Sequence, residues 1–443
     1  MDPQKKLDEL KKACMAVIEI ADRNGALAYA SASHGIQSKI AFEKNDYNIA
    51  THHDGMSLSI TLQKDQKSSS TSINTFSEQD IEAAIKLSLE MAQHSIADPY
   101  LGLAPKSNYV QLPMFYDQKV IDMGMKDLKD LTTHLIEAST DDQRIMLDSV
   151  NMEKSVSTRV LANSKGMLAS DYNASLNWFV MGVAKLGNDL TSMDYHGDFS
   201  YQTQDLEPKL LQTADLFKKK MISCLGAQKG ESYKGMILLP PSLTEEFIID
   251  SIVFHLKGSN IMDGKSRWEQ HLGKKVCHEN LTLEDQPHDP ELRGCSAFSG
   301  EGVPTQNMFL VKDGIAQTQL DTIYTSNRRQ TKPTGNGSGP HAAVMPAGIS
   351  SWRDLIRDVP KIILPTRFSG NFDPLSGDFS GIAKGSQLYQ YGEHQGCLRE
   401  TMIAGNIFDA INRPLTFSSE RESDFGYYRL PYTLIDGISV TSN

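Results

Sequence analysis

No stretch of the 443-residue chain approaches the ~20 consecutive apolar residues that a bilayer-spanning helix needs. The opening MDPQKKLDELKK is too charged to hold the apolar centre of a secretory signal. Cysteine is scarce: five residues, an odd number, scattered at 14, 224, 277, 295 and 397, which suits reduced thiols in a cytoplasm better than a disulfide framework. Positive charge is also short. Lys and Arg number 44 against 55 Asp and Glu, a net charge of −11, which argues against direct nucleic-acid binding. The G-x-S-x-G elbow, the G-x-x-x-x-G-K-[ST] loop, the G-x-G-x-x-G fingerprint, H-E-x-x-H and C-x-x-C are all missing. What remains is a composition of 39% hydrophobic and 22% charged residues, suited to an acidic, soluble protein of two or three structural units.

The order of elements is readable from periodicity. Leu7, Leu10, Cys14, Val17 and Ala21 share one helix face, and Asn24-Gly25 stops that helix. Alternation from about 26 to 75 predicts antiparallel strands, with turns at Asn45-Asp46 and Asp54-Gly55. Ser77 caps a second helix to about 94, with Phe76 and Ile81 as a hydrophobic staple. After a connector to about 120 the order recurs: a helix at 126–139, strands over 145–202 with a hairpin at Asn163–Gly166, and a helix at 206–222. This reads as an α+β N-terminal domain over 1–225, duplicated internally as about 1–97 and 120–225. A chance recurrence is the competing reading. Residues 226–443 read as a mostly antiparallel β domain with one helix at about 242–257, capped by a Ser242…Glu245 box, a hairpin at Asp313-Gly314, a brief helix at 351–358 and a last strand through Leu434, Ile438 and Val440.

Candidate chemistry is sparse. His255, His271, Cys277 and His278 crowd a short stretch, but their spacing matches no zinc pattern and coincidence is the plainer reading. His341 and His394 sit in polar loop contexts. The Gly335–Gly339 run is either a close-approach loop beside a cleft or an ordinary connector.

Seven segments stand in order along the chain: Asp98–Leu103, Asn163–Leu168, Leu281–Asp285, Glu301–Thr305, Thr334–Gly337, Ser376–Ser380 and Ile403–Asn406. Together they resemble the TldD/PmbA family, and its PmbA (TldE) branch more closely. The acidic residues expected before Glu301 are Ser299-Gly300 here, and the tail after Asn406 matches loosely. The resemblance implies a duplicated N-terminal half, a β-rich C-terminal half, and two kinds of subunit. TldD-type chains carry zinc on H-E-x-x-x-H; PmbA-type chains lack it and pair with them to enclose a chamber in which extended or unfolded peptides are cut. At the matching place stands Asp250-Ser251-Ile252-Val253-Phe254-His255, a degenerate version in which Asp250 replaces the first ligand and Ser251 the general base. No cysteine beyond Cys397 is available as a C-terminal ligand.

The expectation is therefore a chain with no zinc and no catalytic residue of its own, inactive alone, serving a TldD-type partner that holds the zinc, or forming a homodimer in isolation. Gly335, Asn336, Gly337, Gly377, Asp378, Phe379 and Ser380, with Gly381, are the candidate peptide-cleft residues, offering small residues and polar groups to an added strand. Turn stabilisation is their competing role. The alternatives are a stand-alone peptidase with a hidden site, and a regulatory protein acting indirectly on DNA gyrase.

Overall fold

The computed structural model describes residues 3–43, 46–112, 115–399, 401–423 and 425–442. It begins with α1 (Pro3–Arg23), whose inner face of Leu10, Cys14, Val17 and Ala21 is fully buried, and Gly25 then takes the positive φ that turns the chain. Next come β1 (Leu27–Glu43), β2 (Asp46–Lys64), β3 (Lys67–Ile73) and α2 (Glu78–Gln93). Ser77 caps α2 by accepting from the Asp80 amide, and Phe76 packs into the same core as Ile81. After the connector and a short α3 (Gln118–Asp122) come α4 (Met125–Ser139), β4 (Ile145–Asn163), β5 (Leu168–Leu186), β6 (Asp189–Leu190), β7 (Asp194–Ser200) and α5 (Leu206–Ile222).

These strands form one sheet in the order β3-β2-β1-β4-β5-β6, with β7 also on β5. Its centre is the long antiparallel pairing of β1 with β4, from Tyr29↔Asn163 to Glu43↔Ser149. Even-numbered residues of β1 face the helices. Ala28, Ala30 and Ala32 leave room for α1, and Ile36, Ile40 and Phe42 meet the core under α4 and α5. In that second core Trp178 is buried and donates to Thr213 Oγ1 at 2.9 Å, beside Leu128, Leu135 and Phe217.

One expected turn is not there. Asp54-Gly55 lies inside β2, with Gly55 opposite Gly35 and Asp54 accepting from His34 at 2.6 Å. Two facing glycines and a buried histidine keep the strand running where the dipeptide alone reads as a turn. Of the other expected turn, Asn45 lies outside the described residues and Asp46 already belongs to β2.

Among the described residues the C-terminal half is a thirteen-stranded, mostly antiparallel sheet organised around Tyr428–Ser442. That strand pairs with Tyr233–Leu239, Thr401–Asn406 and Thr416–Glu422, and in parallel with Ala343–Val344. The hairpin at Asp313-Gly314 has both residues at positive φ, the conformation a two-residue type I′ turn demands. The expected helix near 351–358 shrinks to Trp352–Leu355. Short helices at Gly258–Met262, Ile323–Arg329 and Ile407–Ile411 were not legible as periodic segments. Among the described residues no helix is long and apolar enough to cross a membrane.

The halves meet through a small shared core in which Leu161, Met167 and Ala169 pack on Phe298, Val303 and Ile323. Tyr29 and Tyr109 donate their hydroxyls to the carbonyls of Gly300 and Gly302, the latter at 2.7 Å.

Candidate functional site

The helical residues 241–256 run in three pieces: Pro241–Leu243, a π-helical turn Thr244–Ile249, and Asp250–Leu256. Ser242 is not the cap. The start falls at Pro240, with Pro241 at the first helical position, where a missing N–H costs nothing. The inner face is held by Phe247, which stacks on Phe379 (4.6 Å) and meets Phe368 edge-on (5.0 Å).

The π-helical turn closes before Asp250, so Asp250 and His255 are separated by five α-helical residues, roughly 140° around the axis. Asp250 accordingly faces outward and is exposed, while Ser251 and His255 face inward and are wholly buried. Among the described residues the Ser251 hydroxyl has no hydrogen-bond partner. His255 has two. Its Nδ1 accepts from the Arg267 amide at 3.2 Å, which leaves the proton on Nε2 to donate to the Leu375 carbonyl at 3.2 Å. Phe254, Trp268 and Phe408 pack around the ring. Burial, reinforced by the Arg267 charge, pushes the imidazole down to about 4, so it is neutral near pH 7. A residue occupied on both nitrogens, beside a hydroxyl and with the carboxylate turned away, does not fit a zinc ion. His271, Cys277 and His278 do not help: among the described residues no three His, Cys, Asp or Glu side chains converge to hold a metal.

On the outward face, Glu246 precedes Asp250 by four residues. Burial pushes the Glu246 carboxyl up, with a further push from the Asp250 charge; Asp250 is crowded enough to be raised too, with Lys257 opposing. Glu245 and Glu246 line one wall of a 440 Å³ cleft between the two halves, whose other walls include Lys220, Arg367 and Tyr427. Its floor is Asp194 of β7, which accepts from Lys220 Nζ and from Thr366 Oγ1, both at 2.9 Å, joining the halves. Nothing local in the sequence marks this grouping, because Asp194 and Thr366 lie 172 residues apart.

The candidate cleft residues mostly serve the chain itself. Gly335 has φ +78°, and a side chain there would sit 2.1 Å from the Pro304 carbonyl oxygen; one at Gly337 would sit 2.3 Å from the Thr322 amide nitrogen. Asn336 is buried and donates to the Asp285 carboxylate, which also accepts from the amides of His341 (3.0 Å) and Ala342 (2.8 Å). His341 turns its ring back to the Gly335 carbonyl, and His394 bonds Gln387. Gly377, at φ +83°, lets Phe408 approach. Asp378 accepts from Asn406 at 2.8 Å, and Phe379 is a core residue. Ser380 and Gly381 lie in a strand, Asp378–Lys384, already paired with Arg367–Phe372 on one side and Thr401–Asn406 on the other. The expectation of strand addition there is therefore corrected, since both edges are filled, and Asn336 and Phe379 are corrected as cleft side chains, since both are buried.

Comparison with known proteins agrees with this architecture. Residues 232–442 match the PmbA/TldA metallopeptidase C-terminal domain. The chain is 25% identical over 423 residues to "Metalloprotease PmbA homolog" of Haemophilus influenzae, covering 94% of this chain and 92% of that protein. It is 23% identical over 432 residues to "Metalloprotease PmbA" of Escherichia coli, covering 96% and 94%. The crystal structure of TldE from Thermococcus kodakarensis superposes with a TM-score of 0.86 at 18% identity, over 98% of this chain and 100% of that one. The C-terminal half thus matches the PmbA/TldA metallopeptidase C-terminal domain. Over nearly its whole length the chain is similar to PmbA-type proteins, and its fold is that of TldE.

Proposed function

We propose that this chain is the non-catalytic subunit of a cytoplasmic zinc peptidase that degrades or processes unfolded peptides, and that a TldD-type partner supplies the zinc and the general base. The carrying observation is the donor set of the helix: both ring nitrogens of His255 are engaged, Ser251 is a buried hydroxyl and Asp250 faces away. The likeness to metalloproteases supports a peptidase context at the level of the family. The cleft over Asp194, lined by Glu245, Glu246 and Tyr427, is the surface we assign to an extended peptide, with carboxylates suited to its basic side chains or amino terminus.

The test is purification of this chain alone and co-expressed with a TldD-type chain carrying intact H-E-x-x-x-H, followed by zinc analysis and turnover of unfolded peptide with and without chelator. Zinc and chelator-sensitive cleavage should follow the partner. Stoichiometric zinc with chelator-sensitive turnover by this chain alone would overturn the reading.

A further inference from the structure

Where the two halves join, the chain leaving α5 runs alongside the strand Glu393–Leu398: the Gln228 amide donates to the Cys397 carbonyl at 2.9 Å, and the Arg399 amide to the Gln228 carbonyl at 2.8 Å. This stretch begins just after Cys224. Gln387 stands directly opposite Cys397 in the ladder, so their side chains share a face, and Gln387 Nε2 reaches the Cys224 sulfur at 3.4 Å. Both cysteines line one 500 Å³ cavity, Cys224 half-buried and Cys397 buried. Two thiols from the two halves thus sit side by side in a pocket open to solvent.

We propose that Cys224 and Cys397 form a reversible disulfide under peroxide, covalently tying the end of α5 to the sheet of the C-terminal half. The Cys224 thiolate attacks one peroxide oxygen, and with one proton the other oxygen leaves as water, giving a sulfenic acid. The Cys397 sulfur then attacks the Cys224 sulfur, the S–O bond breaks and a second water leaves. Two thiols are oxidised and one peroxide is reduced. A dithiol reductant reverses the bond by exchange.

The division of roles follows from the surroundings. Hydrogen bonding with Cys397 holds the Cys224 thiol below its ordinary value, while the same contact and burial push Cys397 up. Burial pushes Cys14 and Cys277 to about 12 and Cys295 to about 11, which leaves them poor nucleophiles.

The experiment treats the reduced full-length chain with hydrogen peroxide, blocks the remaining thiols and maps the digest by mass spectrometry. Expected are loss of two titratable thiols, a dithiothreitol-sensitive peptide joining Cys224 to Cys397, and a raised Tm of the oxidised form. In Cys397→Ser the reaction should stop at a sulfenic acid on Cys224, trapped by dimedone. In Cys224→Ser, which alters the less buried partner, the Cys397 thiol should survive and no link should form. Retention of both thiols in the wild type, or a cross-link that persists in either variant, would overturn the proposal.

Discussion

In the N-terminal half, four strands of seventeen to nineteen residues alternate over much of their length, and their even-numbered side chains meet helices whose apolar faces repeat every three to four residues. In the C-terminal half most strands are seven residues or fewer, and buried carboxylates hold the loops between them. Asp321, nearly inaccessible, accepts from Arg329 (2.7 Å), Thr325 (2.8 Å) and Thr331 (2.7 Å); Asp285 gathers Asn336 and the amides of His341 and Ala342. Both halves are held by buried apolar area, spread over many small contributions. The C-terminal half is in addition pinned at a few polar points, each of which strands several groups if removed.

The sharpest way to break this contrast is Asp321→Ala. It leaves the Arg329 guanidinium and two hydroxyls without their acceptor in a dry site and should cost about 4 kcal/mol, read by urea unfolding. Hydrogen exchange should show the loss concentrated around 321–334. Leu128→Ala in the core under α4 removes area instead and should cost about 3.5 kcal/mol, with exchange rising across β4, β5 and α5. Equal, whole-chain loosening by both variants would erase the contrast.

Third is pH. The His255 imidazole resists protonation until about pH 4, whereas the unfolded chain takes that proton near 6.5. Between those values the unfolded state binds more protons, so stability falls as pH drops from 6.5 and the loss is complete below 4, roughly 3 kcal/mol in all. His255→Gln should lose less stability than wild type between pH 7.5 and 4.5 by 2 kcal/mol or so on this scale; parallel losses would show that the ring is not the titrating group. The smallest effects compare two serines. Ser77→Ala removes a working cap and should cost about 1 kcal/mol, while Ser242→Ala, which caps nothing, should change stability by about 0.5 kcal/mol or less.

The same contrast explains what was legible in advance. Helix faces such as Leu128, Leu131 and Leu135, and the span of α5, follow from local periodicity, and they came out where the pattern put them. Asp54-Gly55 misled because its meaning depends on Gly35 and His34 in another strand. Asp250, Ser251 and His255 were singled out in advance, but not which of them face inward, because the π-helical turn that precedes them has no periodic signature. Asn336 and Phe379 sit among glycines and polar residues that read as open loop. Their burial is set by Asp285 and Phe247, 51 and 132 positions away, beyond any window of local reasoning. Asp194 with Thr366, and Cys224 with Cys397, were invisible for the same reason.

The central pairing of β1 with β4 also bears on how the chain is made. During synthesis β2 reaches β1 early, through a short connection, but the other edge of β1 stays bare until residues 149–163 have emerged. For the time needed to make about a hundred residues, some five to twenty seconds at ordinary elongation rates, a seventeen-residue strand offers open amides and carbonyls to any neighbour. A nascent chain stalled before β4 is therefore expected to aggregate more readily than one stalled after it.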